Sequence, residues 1–178
     1  MFGLYLGDGH LVTSTRVPIL RISCSNAWPG LINECDTAMR TVLAAKVQRI
    51  PKAGCLSVES SGVHWPCLLP RHGRGKKHDR PIVLTDWQRA ILAAHPGRFL
   101  RGLFHSDGCR SANRVQVRGK EYVYPRYLFS NRSADVMGLC QWALDLLEIP
   151  WRMNLPWSLS VARREAVVAL DRHVGPKF

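Results

Sequence analysis

The feature that most constrains this chain is a short motif that occurs twice. The sequence GLYLGDG at residues 3–9 returns as GLFHSDG at residues 102–108. In each half an extended apolar run, an amphipathic stretch and a hairpin-like segment follow the motif in the same order. This order predicts two copies of one structural unit, each reading helix, two strands, helix, two strands, helix.

The repeat sets the expected organisation of the chain. We expect a first repeat over 1–73, a basic linker with a connecting helix over 74–96, and a second repeat over 97–178. Thr85 is a predicted N-cap of the connecting helix, and Pro96-Gly97 is expected to end that helix before the second motif helix begins. Helices alternating with strand pairs in this way predict an α+β fold.

The net charge of the chain indicates which class of binding partner to expect. The 178 residues include 25 Lys and Arg against 13 Asp and Glu, which gives a net charge of +12 and a pI near 10.0. Such an excess favours a polyanion such as nucleic acid, although a merely soluble basic surface is an alternative. No run of 18 apolar residues and no signal peptide is visible. We therefore expect no membrane span and a cytoplasmic location.

Small residues recur at a spacing of four in both motifs, as Gly3 and Gly7 and as Gly102 and Ser106. Residues four apart share one face of a helix, and small side chains there let two helix backbones approach closely. The spacing therefore predicts that the two motif helices pack on each other.

That packing brings Asp8 and Asp107 side by side at the carboxyl ends of the two helices. Two adjacent carboxylates repel each other, and each also meets the negative end of a helix dipole. A divalent cation with oxygen ligands compensates such a pair and can promote phosphodiester hydrolysis. The alternative is that each Asp-Gly pair is an ordinary helix-ending turn.

The two motifs resemble those of the LAGLIDADG homing endonuclease family in its single-chain form. The match places Met1–Gly9 and Leu100–Gly108 in the two nine-residue motifs. The resemblance implies two pseudo-symmetric αββαββα repeats, motif helices packed at the central axis, and two antiparallel sheets that form a saddle over DNA. It also implies that Asp8 and Asp107 bind Mg²⁺ or Mn²⁺, with the carbonyls of Gly7 and Ser106 as further candidate ligands.

The chain departs from the family pattern in two respects. The acidic residue two places before the motif aspartate is replaced by Leu6 in the first copy and by His105 in the second. For His105 we expect packing between the helices, with an approach to the site as the alternative. Only seven residues precede Asp8, so the first motif helix should have about two turns. An additional upstream helix-turn-helix domain, as in some actinobacterial relatives, is the other explanation of this short start.

Strand alternation predicts the residues that contact DNA in the second half. Arg110, Arg114, Gln116 and Arg118 occupy alternate positions of one strand, and we expect them to share a polar face with Arg126 of the partner strand. Arg can bond guanine and Gln can bond adenine in the major groove. The alternative is an ordinary half-exposed sheet with Arg placed for solubility.

Further basic or polar residues complete the predicted interface with double-stranded DNA. Near the scissile phosphates the family tends to place a basic residue, for which Arg163 or Arg164 is the candidate in the second half. The remaining predicted contacts are Arg16, Arg21, Lys46, Gln48, Lys52, Lys76, Lys77 and Arg152.

These observations favour a monomeric, site-specific endonuclease of double-stranded DNA that depends on a divalent metal. Two alternatives remain open at this stage. One is a DNA-binding regulator that kept the scaffold and lost catalysis, and the other is an RNA maturase that assists intron splicing.

Overall fold

The computed structural model describes residues 1–42, 46–70 and 79–178. The elements of the first half are α1 (Phe2–Asp8), β1 (Gly9–Val12), β2 (Ile19–Ser25), α2 (Pro29–Val42), β3 (Val47–Lys52), β4 (Cys55–Ser61) and α3 (Trp65–Leu68). Helix α4 (Asp86–Ala94) connects the halves. The second half contains α5 (Pro96–Ser106), β5 (Gly108–Val117), β6 (Lys120–Ser130), α6 (Ala134–Leu146), β7 (Arg152–Leu155), β8 (Ser158–Val161) and α7 (Arg164–Val174).

The two halves have the same sheet topology. Each contains a four-stranded antiparallel sheet, with strand orders β1-β2-β4-β3 and β5-β6-β8-β7. The register also repeats, because Gly9 pairs with Ile22 in the first sheet and Gly108 pairs with Phe129 in the second. The predicted α+β fold of two αββαββα repeats is therefore confirmed, whereas the boundaries at 73 and 96 stay a prediction.

Local signals in the sequence account for the helix starts. Thr85 and Gln88 form a reciprocal capping box at the start of α4, with the Thr85 amide donating to Gln88 Oε1 at 3.0 Å. The Ser133 hydroxyl accepts from the Val136 amide at 3.4 Å and caps α6. Helix α4 ends at Ala94, just before Pro96, as expected. Pro96 itself is the first residue of α5, a position where a backbone N–H would have no acceptor within the helix.

One face of each sheet packs against helices and forms the core. Leu20, Ile22 and Val58 are fully or almost fully buried on the first sheet, and Phe129 and Leu159 are fully buried on the second. The opposite face of each sheet carries mainly polar side chains, and we call it the open face. Within the described ranges no helix is both long enough and apolar enough to cross a membrane.

Helices α1 and α5 join the two halves through a very close backbone contact. A Cβ added to Gly3 would lie 2.3 Å from the Phe99 carbonyl oxygen, and one added to Gly102 would lie 2.7 Å from the Leu4 amide nitrogen. Both distances are shorter than any normal contact, so only glycine fits at these positions. The predicted packing through small residues is confirmed, and we call this contact the seam.

A side chain at the seam should therefore destabilise the protein. We expect Gly3→Ala to lower the free energy of unfolding by about 2–4 kcal/mol, because the obstructing atoms belong to the backbone of α5. The matched control is Gly138→Ala on the exposed side of α6, where an added Cβ meets nothing within 4 Å. The control should stabilise the helix by about 0.5–1 kcal/mol. Equal urea midpoints for Gly3→Ala and the unmodified chain would contradict the seam.

Candidate functional site

The two motif aspartates stand at the carboxyl ends of the paired helices. Asp8 is the last residue of α1, and Asp107 immediately follows the last residue of α5. The helix ends are in contact, since a Cβ added to Gly7 would lie 2.2 Å from Ser106 Cβ and 3.5 Å from Asp107 Oδ2. The seam thus brings both motif ends into one small region, as the repeat predicted.

The end of β6 holds the carboxylate of Asp107. The Asn131 side-chain amide donates to Asp107 Oδ2 at 2.7 Å, while Asn131 Oδ1 accepts from the Ser133 amide at 2.8 Å. Because Asn131 is held at both ends, it fixes the orientation of the carboxylate. A cavity of about 270 Å³ opens beside this carboxylate, and its lining includes Gly7 and Arg132.

Lys177 supplies a positive charge that no sequence pattern predicted. Its ammonium donates to the Gly108 carbonyl oxygen at 2.9 Å. Burial lowers the pKa of Lys177, and the nearby carboxylates of Asp8 and Asp107 act against that shift. The ammonium therefore lies in the field of both aspartates, where a compensating cation was expected.

Residues 174–178 are anchored so that Lys177 reaches this region. The Val174 carbonyl accepts from Arg101 of α5, and the His105 Nε2 atom lies 3.5 Å from the Gly175 carbonyl oxygen. The Phe178 carbonyl accepts from the Leu31 amide of α2 at 3.1 Å. No local pattern around Lys177 marks it, because its role depends on contacts with residues far away in the chain.

His105 packs between elements instead of approaching the aspartates, in line with the expectation. It is 3% exposed, and its Nδ1 atom lies 3.9 Å from a carboxylate oxygen of Glu34 on α2. Burial lowers the pKa of His105.

The donor set at the seam suits a hard divalent cation. Asp8 and Asp107 offer carboxylate oxygens, and the carbonyls of Gly7 and Ser106 lie at the same helix ends. No group of three or more His, Cys, Asp or Glu side chains suited to a metal occurs among the described residues. Mg²⁺ is commonly bound by one or two carboxylates together with water and substrate phosphates, so two aspartates fit it. Metal binding by these residues stays a prediction.

The open face of the first sheet carries three of the predicted DNA contacts. Arg21 pairs with Glu59 of β4, and Glu59 pairs with Gln48 of β3, so the three side chains form one row across the sheet. Lys52 lies further along the same face, opposite Cys55. Two more predicted contacts are exposed outside the strands: Arg16 in the loop after β1 and Lys46 just before β3.

In the second sheet, the prediction that Arg110 and Arg114 share a face with Arg126 is wrong. Arg110 pairs with buried Tyr127, and Arg114 pairs with Val123, so these arginines share the helix side of the ladder and not the face of Arg126. The Arg110 guanidinium binds the Asp171 carboxylate of α7 at 2.8 and 3.0 Å. The alternation itself was correct, but pairing Gly108 with Phe129 sets even residues opposite odd ones.

The same register changes the positions of three further predicted contacts. Gln116 pairs with Glu121, on the face of Arg110 and not on that of Arg126. The Arg114 guanidinium lies 3.2 Å from a Glu121 carboxylate oxygen. Arg118 is a turn residue with φ of 50° and not part of β5, since the hairpin turns at Arg118 and Gly119. Lys76 and Lys77 lie outside the described residues.

The open face of the second sheet forms a basic groove. A cavity of about 530 Å³ is lined by Arg126, Arg152, Asn154, Ser160 and Arg163, among others. Arg163 therefore lies at this groove, whereas Arg164 lines a separate pocket with Val168 and Arg172 of α7.

Each open face has an arginine whose Nε atom is buried. The Nε atoms of Arg21 and Arg126 are buried, and neither has a hydrogen-bond partner among the described residues. A buried donor without an acceptor is costly, and the Glu59 carboxylate oxygen 3.1 Å from Arg21 Nε offsets part of that cost on the first sheet.

Comparison with solved structures identifies the architecture. I-SmaMI bound to uncleaveable DNA has a TM-score of 0.61 at 8% identity, covering 98% of this chain and 83% of that one. I-DmoI in complex with DNA and Mn has a TM-score of 0.60 at 12% identity, covering 99% and 95%. The LAGLIDADG homing endonuclease I-GzeII in complex with its DNA target has a TM-score of 0.57 at 9% identity, covering 99% and 83%.

This chain has the LAGLIDADG fold. No protein-family model matches the sequence, and no curated protein matches it either. At identities of 8–12% the likeness establishes the fold, and the activity has to be argued from the residues themselves.

The ion pair of Arg110 with Asp171 predicts a pH-dependent contribution to stability. The Arg110 pair is partly exposed, so Arg110→Gln should lower the free energy of unfolding by only about 0.5–1 kcal/mol at pH 7. Partial burial raises the pKa of Asp171, but hydrogen bonds from Arg110 and Tyr127 outweigh this and hold that pKa below its usual 3.8. The stabilisation is therefore present above about pH 4 and is lost as the pH falls through the folded-state pKa.

Urea unfolding at pH 7 and pH 3 measures this effect. The difference between Arg110→Gln and the unmodified chain should shrink at the lower pH. Arg114→Gln is the matched control, because its ion pair with Glu121 is exposed and should contribute close to nothing. If the Arg110→Gln difference is unchanged at pH 3, the Asp171 pair is not its source.

Proposed function

We propose that this protein is a site-specific endonuclease of double-stranded DNA, in which Asp8 and Asp107 hold divalent metal for phosphodiester hydrolysis. The observation that supports it most is the contact of the two motif-helix ends, at which Asp8 and Asp107 stand. Both halves of such a site lie in one chain, so we propose that the protein acts as a monomer.

The chemistry follows from the oxygen donors at the seam. When bound, Mg²⁺ or Mn²⁺ supplies an activated water at neutral pH and charge stabilisation for the leaving oxygen. Asn131 holds the Asp107 carboxylate in one orientation, so no reorganisation is needed when the phosphate arrives. Lys177 adds a fixed positive charge beside both aspartates, where a scissile phosphate gathers negative charge.

DNA binding follows from the open faces of the two sheets. Arg21 and Arg126 lie on these faces, and Arg152 and Asn154 line the basic groove of the second sheet. We assign Arg163 as the residue that contacts a backbone phosphate, since it lies at that groove and Arg164 does not. The solved structures of I-SmaMI, I-GzeII and I-DmoI with DNA support DNA binding by this fold, by analogy.

A DNA-binding regulator without catalysis is the second candidate function. The observation in its favour is Lys177, because an ammonium already occupies the field that a metal would otherwise balance. The regulator binds DNA through the same faces and needs no metal. The described residues offer no feature that favours intron RNA over duplex DNA, so the maturase alternative has no support among them.

The aspartates provide the decisive test of catalysis. A target is first selected from a random duplex pool in Ca²⁺, and its cleavage is then measured in Mg²⁺ or Mn²⁺. Asp8→Asn and Asp107→Asn should each slow double-strand cleavage by at least about a hundredfold, since each removes a charged metal ligand. Binding in Ca²⁺ should persist. Unchanged cleavage by either variant would remove the assignment, and tight binding without nicking by the unmodified chain would select the regulator.

Lys177 gives a second test of the same site. Lys177→Met should reduce the single-turnover cleavage rate by about ten- to a hundredfold, because it removes a charge placed beside the phosphate. Lys177→Arg should retain most of the rate, and Lys120→Met on the exposed β5–β6 hairpin is the control for net charge. Faster cleavage by Lys177→Met would contradict this role and indicate that the ammonium excludes metal.

A further inference from the structure

Glu59 is the exception among the charged side chains of the open faces, because the others are basic. Among the described strand residues it is the only carboxylate on the open face of either sheet. A negative charge that faces a duplex opposes the phosphates, so its presence there has to be explained.

The side chain of Glu59 is held in one place by three neighbours. It is 7% exposed, and its Oε2 atom lies 3.1 Å from Nε of Arg21. This ion pair lacks hydrogen-bond geometry, so the Arg21 Nε–H remains unsatisfied within the described part of the chain. The Oε1 atom accepts from the Ser57 hydroxyl at 2.8 Å and lies 3.9 Å from the Lys52 ammonium. The carboxylate is thus fixed in the middle of the predicted DNA contacts of the first half.

The second half has no carboxylate at the matching place. Glu59 lies opposite Arg21 in the first sheet, and the corresponding row of the second sheet pairs Leu128 with Ser160. The Ser160 hydroxyl donates to Asn154 Oδ1 at 3.0 Å, so a neutral network replaces the ion pair. The two halves therefore share one scaffold but present different charges at equivalent positions.

A carboxylate next to a guanidinium matches the two bases of a G·C pair. In the major groove cytosine presents an amino donor that a carboxylate can accept, and guanine presents two acceptors that arginine can bond. Other base pairs present only part of this donor and acceptor pattern, which makes them less favourable. The same carboxylate weakens binding to every duplex by offsetting the charges of Arg21 and Lys52.

We propose that Glu59 is a specificity-determining residue, which together with Arg21 selects a G·C pair in the first half of the target and lowers affinity for other duplexes. The proposal rests on the proposed DNA binding but not on catalysis. It gives the two sheets different roles. The first sheet discriminates more strongly between base pairs, and the second contributes more of the affinity for duplex DNA.

Selection from a random-sequence duplex pool in Ca²⁺ tests the proposal. The unmodified chain should enrich a G·C pair at one position of the first half-site, and Glu59→Gln should lose that preference while the second half-site stays the same. Glu59→Gln should also bind unselected duplex about three- to tenfold more tightly. Its plot of log K against log[salt] should be steeper by about 0.9 for each additional phosphate that the variant neutralises.

Two further variants serve as a control and as an alternative test in the selection experiment. Ser160→Ala is the control at the matched position of the second sheet, and it should leave the first half-site unchanged. Arg21→Gln should lose the same G·C preference but weaken binding to unselected duplex, and it serves as the test if Glu59→Gln does not fold. Retention of the G·C preference by Glu59→Gln, or by Arg21→Gln, would overturn the proposal while leaving DNA binding intact. If the unmodified chain binds duplex but enriches no sequence, the proposed site-specific recognition fails as well, and if it binds no duplex at all, the proposed DNA binding fails.

Discussion

The close contact between the backbones of α1 and α5 is the constraint on which the rest of the structure depends. Glycines at positions 3 and 102 let main chain meet main chain, which a Cβ at either position would prevent. Because Gly7 also lies against Ser106, the two helices end at the same place. Each helix leads directly into the first strand of a sheet, so the seam also sets where the two sheets stand.

Electrostatics at the end of the seam follows from this packing. Two helix ends that meet there bring two carboxylates together, and helix dipoles add to the negative potential. The Lys177 ammonium compensates part of that negative potential. It is positioned by the C-terminal segment, which is hydrogen-bonded to α5 and α2. A divalent cation bound there would compensate the remaining negative potential.

Features that depend on local sequence could be predicted. The doubled motif, the caps at Thr85 and Ser133, and the small residues at the seam each act within a few positions along the chain. Strand alternation was also visible, but the phase of one strand against the next was not. That phase depends on which residues pair across the ladder, and it moved Arg110 from the predicted DNA face to the Asp171 ion pair. Lys177 and Glu59 could not be predicted as site residues for a related reason, since their contacts form only when distant segments of the chain meet.

The central claim is that the seam gathers two aspartates that share a divalent metal. The most direct measurement is a crystal structure of the chain with its selected duplex and Mn²⁺, in which anomalous scattering locates the metal. The expected result is Mn²⁺ coordinated by a carboxylate oxygen from Asp8 and one from Asp107, together with an oxygen of a DNA phosphate. A complex in which the duplex lies across both sheets, no Mn²⁺ contacts either aspartate, and Lys177 occupies the space between them would contradict it.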